Sequence, residues 1–247
     1  MRLGALLLLG WLYAMNAVAD EQVQQHLHEL RTRSSLLCSS ALLYFNPALE
    51  AQDSRALASS YDSLNLLATR VVQLGQPEPV LTQLRDMQRL FKDLERLPRQ
   101  QAQQYPPLLL RLLRVQREMD VWADQQLAAG GAAATPAQLR QHSLGMARLL
   151  LDYQARSYPF VDGEYQGLAQ AERQALDQDL QQGLRQLQEA DAAQAETLGR
   201  VRKGYRFVRS QILANAPRES SGGVEFYLAR GIVDLDELAV QIGQVGQ

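Results

Sequence analysis

The chain has 247 residues, with 25 basic and 27 acidic side chains and a formal charge of −2. It is long enough to bury a core, its near-neutral balance gives no bulk electrostatic drive toward nucleic acid, and a single cysteine excludes a disulfide scaffold or a cysteine-based zinc site within one chain. Its 31 Gln, its 23 Arg against two Lys, and its abundant Leu and Ala are all good helix formers, so composition already leans to an all-α fold.

Residues 1–19 come first. Met1 and Arg2 precede an apolar run from Leu3 that closes on Ala17-Val18-Ala19 before Asp20, the pattern of a cleaved secretory signal. The run is short against the about 20 residues that a ~30 Å hydrocarbon core requires, which favours removal over retention as an anchor. The mature chain, 20–247, is therefore expected to be soluble in the periplasm or outside the cell, with no stable membrane span. Leu36-Leu37-Cys38 superficially resembles a lipid-attachment box, but it lies inside a helical pattern and well past the better cleavage site. Cys38 is read as a buried, inert thiol, with an intermolecular disulfide as the alternative.

From Val23 onward, apolar residues recur alternately three and four places apart, the mark of amphipathic helices. The first segment carries Val23, Leu27, Leu30, Ser34, Leu37, Ala41 and Tyr44. Asn46-Pro47 supplies a capping residue and a first-turn proline for the second segment, Leu57, Tyr61, Leu64, Ala68 and Val71, which ends at Gly75. A third (Leu84, Met87, Phe91, Leu94) stops before Pro98, and a fourth (Leu108, Leu112, Val115, Met119, Trp122) follows Pro106-Pro107. The Gly130–Thr135 connection marks a bend, or a junction between two subdomains. Thr135-Pro136 then opens a fifth segment (Leu139, His142, Met146, Leu149, Tyr153) that breaks near Pro159. The sixth is the longest and ends in Leu198, Val201, Tyr205, Val208 and Ile212; the seventh carries Val224, Leu228, Gly231, Leu235, Leu238 and Ile242.

Two-residue alternation is absent over any useful length. The expected architecture is an all-α bundle of six or seven long amphipathic helices with antiparallel coiled-coil-like packing. Such seams also serve association between chains, so a homo-oligomer is compatible with the pattern. The architecture is similar to that of extracytoplasmic helical sensor domains, an analogy that no motif supports.

Chemistry is sparse. The chain has no GxSxG, HExxH, CxxC, GxxxxGK[ST] or GxGxxG motif, and no cofactor or metal is expected. His26 and His28 point to different sides of a helix and are read as solvated; His142 falls on a seam and is read as a hydrogen-bonded core histidine. Glu219-Ser220 resembles the catalytic Glu-Ser segment of lysozyme-like peptidoglycan lyases, without the Gly-Leu-Met-Gln type segment that would follow. Asp162 and Glu164 form a second carboxylate pair, beside Tyr158, Phe160 and Tyr165. Either would serve an envelope-polymer hydrolase or lyase.

The densest feature runs from Gly199 to Arg209. Arg202, Arg206 and Arg209 fall at i, i+4 and i+7 and form one helical stripe beside Tyr205. Such a row suits a carboxylate, a phosphate or a polyanion. The plain alternative is structural: acids early in the same segment, Glu172, Asp177, Asp179 and Glu189 among them, and cations late in it complement the helix macrodipole, and salt bridges to a neighbouring helix absorb the rest. The preferred expectation is an exported, non-enzymatic binding protein whose partner is a protein or an anionic envelope ligand, with no role for nucleic acid.

Overall fold

The computed structural model describes residues 2–127, 134–161, 163–190, 192–214 and 222–245, with backbone alone for 2–20, 134 and 245. Eight α-helices occur among these residues: α1 (Arg2–Tyr44), α2 (Ser54–Gln73), α3 (Glu78–Arg96), α4 (Tyr105–Leu127), α5 (Ala134–Ser157), α6 (Gln170–Ala190), α7 (Ala195–Leu213) and α8 (Gly222–Val245). A 3-10 segment, Arg99–Gln104, leads into α4, and no strand is found among the described residues. The fold is all-helical, as the three-and-four spacing predicts. The expected six or seven helices become eight because the long sixth segment divides into α6 and α7. No Gly or Pro marks residues 189–195, so the break is invisible in the sequence; it lets α7 fold back along α6.

Helix ends mostly follow local signals. α2 ends at Gly75, whose φ of 80° only glycine adopts freely; Gly75 N–H reaches Val72 O at 3.0 Å and Gln76 N–H reaches Val71 O at 2.9 Å. The start of α2 departs from expectation. Asp53, not Asn46, is its cap, accepting the Arg55 N–H at 2.9 Å. Asn46 instead closes its own turn by accepting the Ala48 N–H at 2.9 Å. The proposed junction near 130–135 lies largely outside the described residues, and α1 runs as continuous helix through Ala19-Asp20.

α1 occupies the centre, packed against α2, α4, α5 and α8. The buried apolar residues fall into two clusters. One joins α1–α4 with Leu151, Ala155 and Tyr158 of the α5 end; the other joins α5–α8 with Leu36 of α1. A helix covered on all sides is ordinarily apolar all round. Here Gln24, His28, Glu29, Arg31, Thr32, Ser35, Ser39 and Ser40 are buried alongside Leu27, Leu30 and Leu37. Burial of such groups requires partners, and the surrounding helices supply them. Arg31 reaches Asp120 at 2.6 Å and Asp124 at 2.7 Å on α4, Glu29 pairs with Arg70 on α2, and Ser35 accepts from Gln116 at 3.2 Å.

This polar centre moves two inward faces off the apolar reading. α2 buries the expected Leu64 and Val71 together with Ala56, Ser60, Ser63 and Leu67, leaving Tyr61 exposed; α4 buries the expected Leu112 and Met119 together with Tyr105, Leu109, Leu113, Gln116 and Ala123. Both strips keep helical spacing but include Ser and Gln, which an apolar template skips. Val23, expected on the seam of α1, is 44% exposed. α5 and α7 match expectation at every seam residue: Leu139, His142, Met146, Leu149 and Tyr153, then Leu198, Val201, Tyr205, Val208 and Ile212, are all buried. Among the described residues no helix is long and apolar enough to cross a membrane.

Candidate functional site

The arginine stripe sits on α7 facing α6, and the structure divides it. Arg209 makes a two-pronged pair with Asp177 of α6, Nε to Oδ1 and Nη2 to Oδ2, both at 2.7 Å. The Tyr205 hydroxyl donates to the same Oδ1 at 2.9 Å, and Gln181 donates to Oδ2 at 2.9 Å. Burial opposes the charge on Asp177, but the Arg209 and Tyr205 hydrogen bonds outweigh it and hold the carboxyl below its ordinary range. Burial beside that carboxylate pushes the Tyr205 phenol well up, so it stays a donor. Two of the four expected ligand-binding residues thus anchor α7 to α6.

The other two line a depression. Arg202 donates to Gln188 at 2.8 Å, and Arg206 has no ion-pair partner among the described residues. With Arg185 of α6 they surround a space of about 500 Å³, together with Gln178, Gln181, Gln182, Leu184 and Tyr205. Three guanidiniums and three carboxamides line it, and no carboxylate does. Arg185 escapes a stripe analysis because it lies on the preceding helix; only the turn at 192–194 brings it opposite Arg202 and Arg206.

A second concentration of polar groups lies around α1. Asp236 of α8 is buried, with Oδ1 at 2.8 Å from His28 Nε2 and accepting from Ser143 Oγ at 2.5 Å. His28, expected to be solvated, is 3% exposed, because α8 covers the side of α1 that an isolated helix would show to water. The Ser, His and Asp do not form a nucleophile–base–orienter chain. Serine and imidazole both bond the carboxylate, so the imidazole does not activate the hydroxyl.

Glu225, in the first turn of α8, is 6% exposed and forms one wall of a groove of about 410 Å³ between α1, α2 and α8. Its Oε1 accepts from Ser40 Oγ at 2.5 Å and its Oε2 from Gln154 Nε2 at 3.3 Å. Burial raises its pKa to about 7, against the pull of those two hydrogen bonds and with a small push from Asp53. Arg33, Arg55, Arg230 and Asp62 also line the groove. A carboxyl whose folded pKa is raised favours folding below its unfolded pKa and loses that advantage as pH rises to the folded value. Stability from this group is expected to decline between about pH 4.5 and 7, by on the order of 3 kcal/mol. Urea denaturation across that range checks it; Glu225→Gln should flatten the slope, and an unchanged slope would refute the assignment.

The remaining candidates are placed as follows. His142 is buried, with Nδ1 3.4 Å from Asp179 Oδ2, and its ring fills the space over Gly183, where a Cβ would overlap it. Burial outweighs that carboxylate and lowers the imidazole pKa. His26 is half-buried. Cys38 is buried against the Leu112 carbonyl, Sγ to O at 3.9 Å, and burial pushes its thiol pKa up. Glu164 is exposed and accepts the Val161 N–H at 3.2 Å, closing its own turn. Asp162 and Glu219 lie outside the described residues. Among the described residues no group of three or more His, Cys, Asp or Glu is placed to hold a metal ion. No family model, curated protein or solved structure matches the chain.

Proposed function

We propose that the chain is an exported, non-enzymatic helical-bundle protein, packed in antiparallel coiled-coil fashion, that binds an anionic ligand of the cell envelope between α6 and α7. The observation that carries this reading is the convergence of Arg185, Arg202 and Arg206 on a depression lined by no carboxylate. Guanidinium groups bind carboxylate and phosphate oxygens two at a time, and the Gln178, Gln181 and Gln182 carboxamides add neutral donors for the remaining oxygens. Arg209 and Tyr205 act at one remove, fixing α7 on α6 through Asp177 so that the two halves of the depression stay in register. The signal-like residues 1–19 support a periplasmic or secreted location, where phosphate- and carboxylate-rich polymers are the abundant anions.

Inorganic polyphosphate is the probe of choice. At a hundredfold excess over its dissociation constant, a ligand specific for the folded state adds about 2.7 kcal/mol, or roughly 5–10 °C in the melting temperature of a chain this size. Arg185→Gln, Arg202→Gln and Arg206→Gln combined should leave helix content unchanged and abolish the shift. Equal stabilisation of parent and triple variant, or none of the parent, overturns the reading.

A further inference from the structure

We infer that α7 and α8 together present a second face, independent of the α6–α7 depression, that docks on an anionic lipid bilayer. Two observations meet there. Phe207 of α7 is 66% exposed and Phe226 of α8 is 58% exposed, an unusual position for phenylalanine. Tyr227 bridges them, with ring centroids 5.0 Å from Phe207 and 5.4 Å from Phe226. Gly204 makes the cluster possible: a Cβ there would meet Tyr227 Cδ1 at 3.3 Å, so the tyrosine ring lies directly on α7 and the phenylalanines stand at the rim.

Cations surround the rings. Lys203 has no ion-pair partner among the described residues. Arg200 and Arg230 lie 3.6 Å and 2.9 Å from Asp234, whose side chain is 4% exposed and recessed beneath them. Three cations thus outnumber the two acids of the surrounding depression, Asp234 and the exposed Glu196, which Arg200 also reaches at 4.0 Å.

Exposure and charge together select the occupant. Phe207, Phe226 and Tyr227 border a depression of about 1000 Å³ between α7 and α8, and Arg200, Lys203 and Arg230 line it with them. Exposed rings among cations suit the headgroup layer of a bilayer: aromatic rings settle at that depth, while adjacent Lys and Arg attract anionic headgroups.

The test is co-sedimentation of the full chain with phosphatidylcholine vesicles, with and without phosphatidylglycerol. Neutral vesicles report whatever residues 3–19 contribute, which is common to parent and variants, so the readout is the excess bound to anionic vesicles. That excess should fall about tenfold in Phe207→Ser/Phe226→Ser and in Lys203→Gln/Arg230→Gln, and at high salt. All four side chains are exposed, so far-ultraviolet circular dichroism should match the parent. As a second readout, Phe207→Trp should gain blue-shifted fluorescence on anionic vesicles and be quenched by brominated lipid. The triple variant Arg185→Gln/Arg202→Gln/Arg206→Gln should bind vesicles like the parent, which separates this surface from the polyphosphate site. The inference is overturned if the parent shows no anionic excess. It is equally overturned if the aromatic variant keeps that excess while the triple variant loses it, or if brominated lipid leaves the fluorescence of Phe207→Trp unquenched.

Discussion

Replacing Asp236 with alanine is expected to destabilise the fold by about 3–5 kcal/mol, because it removes one partner of a buried polar group and strands the others. Asp236 is 2% exposed; besides His28 and Ser143, it accepts from Thr32 at 3.3 Å and lies 3.9 Å from Arg33. Four groups from α1 and α5 thus converge on one carboxylate of α8; His28, Thr32 and Ser143 are buried and cannot turn to water in its absence, while Arg33 lines the groove beside Glu225. Asp236→Asn keeps the volume and one acceptor, so its loss should be smaller. Urea denaturation of both variants decides the matter: an alanine variant within about 1 kcal/mol of the parent would show that this cluster does not hold α1 in place. The pH dependence supplies a second check. Burial works against the charge of Asp236, but His28, Arg33 and Ser143 outweigh it and hold its pKa below the ordinary carboxylate value. Its contribution is present above the unfolded pKa and lost as pH falls through the folded one. Asp236→Ala should therefore flatten the acid limb of the stability profile, whereas Glu225→Gln flattens the stretch from about 4.5 to 7.

Tyr205→Ala should cost about as much, roughly 3–5 kcal/mol, for a different reason. Tyr205 is fully buried in the α5–α8 cluster, and truncation leaves a ring-sized cavity between α6 and α7. Tyr205→Phe keeps the ring and deletes only the hydroxyl that donates to Asp177, so it isolates the hydrogen bond, at about 1.5–3 kcal/mol for a charged acceptor. Chemical denaturation of the pair separates packing from polarity. An alanine variant with the parent's midpoint would remove Tyr205 from the core. A large loss on Tyr205→Phe alone would mean that the anchoring of α7 is chiefly electrostatic.

The residues themselves explain which parts of this molecule are legible without coordinates. α7 was readable at every seam position because its buried strip, Leu198 to Ile212, is entirely apolar or aromatic. α4 was readable as a helix with Leu112 and Met119 on its buried strip, but Leu108, Val115 and Trp122 each fall one position short of the buried Leu109, Gln116 and Ala123; Gln116 belongs to that strip through its bond to Ser35. A carboxamide scores as surface in any hydrophobic pattern until its partner is known. The binding stripe shows the same limit. Spacing placed Arg202, Arg206 and Arg209 on one face correctly. Nothing in spacing distinguishes Arg209, neutralised by an aspartate thirty-two positions earlier, from Arg206, which meets no acid among the described residues.

The local code of the chain is thus enough to specify helices throughout the described residues and most of their ends, because periodicity, glycine and proline act within a few residues. It is also enough to place apolar faces where those faces are purely apolar. Which helix lies at the centre is another kind of fact. α1 carries histidines, glutamines, serines and arginines that read as a solvated surface, and they are buried because α2, α4, α5 and α8 bring Arg70, Asp120, Ser143, Gln154, Glu225 and Asp236 to or near them. Partners separated by tens to hundreds of positions become neighbours only when the helices pack. Burial of a polar group, and the shift in its acidity, depends on those partners rather than on the group's own place in the chain.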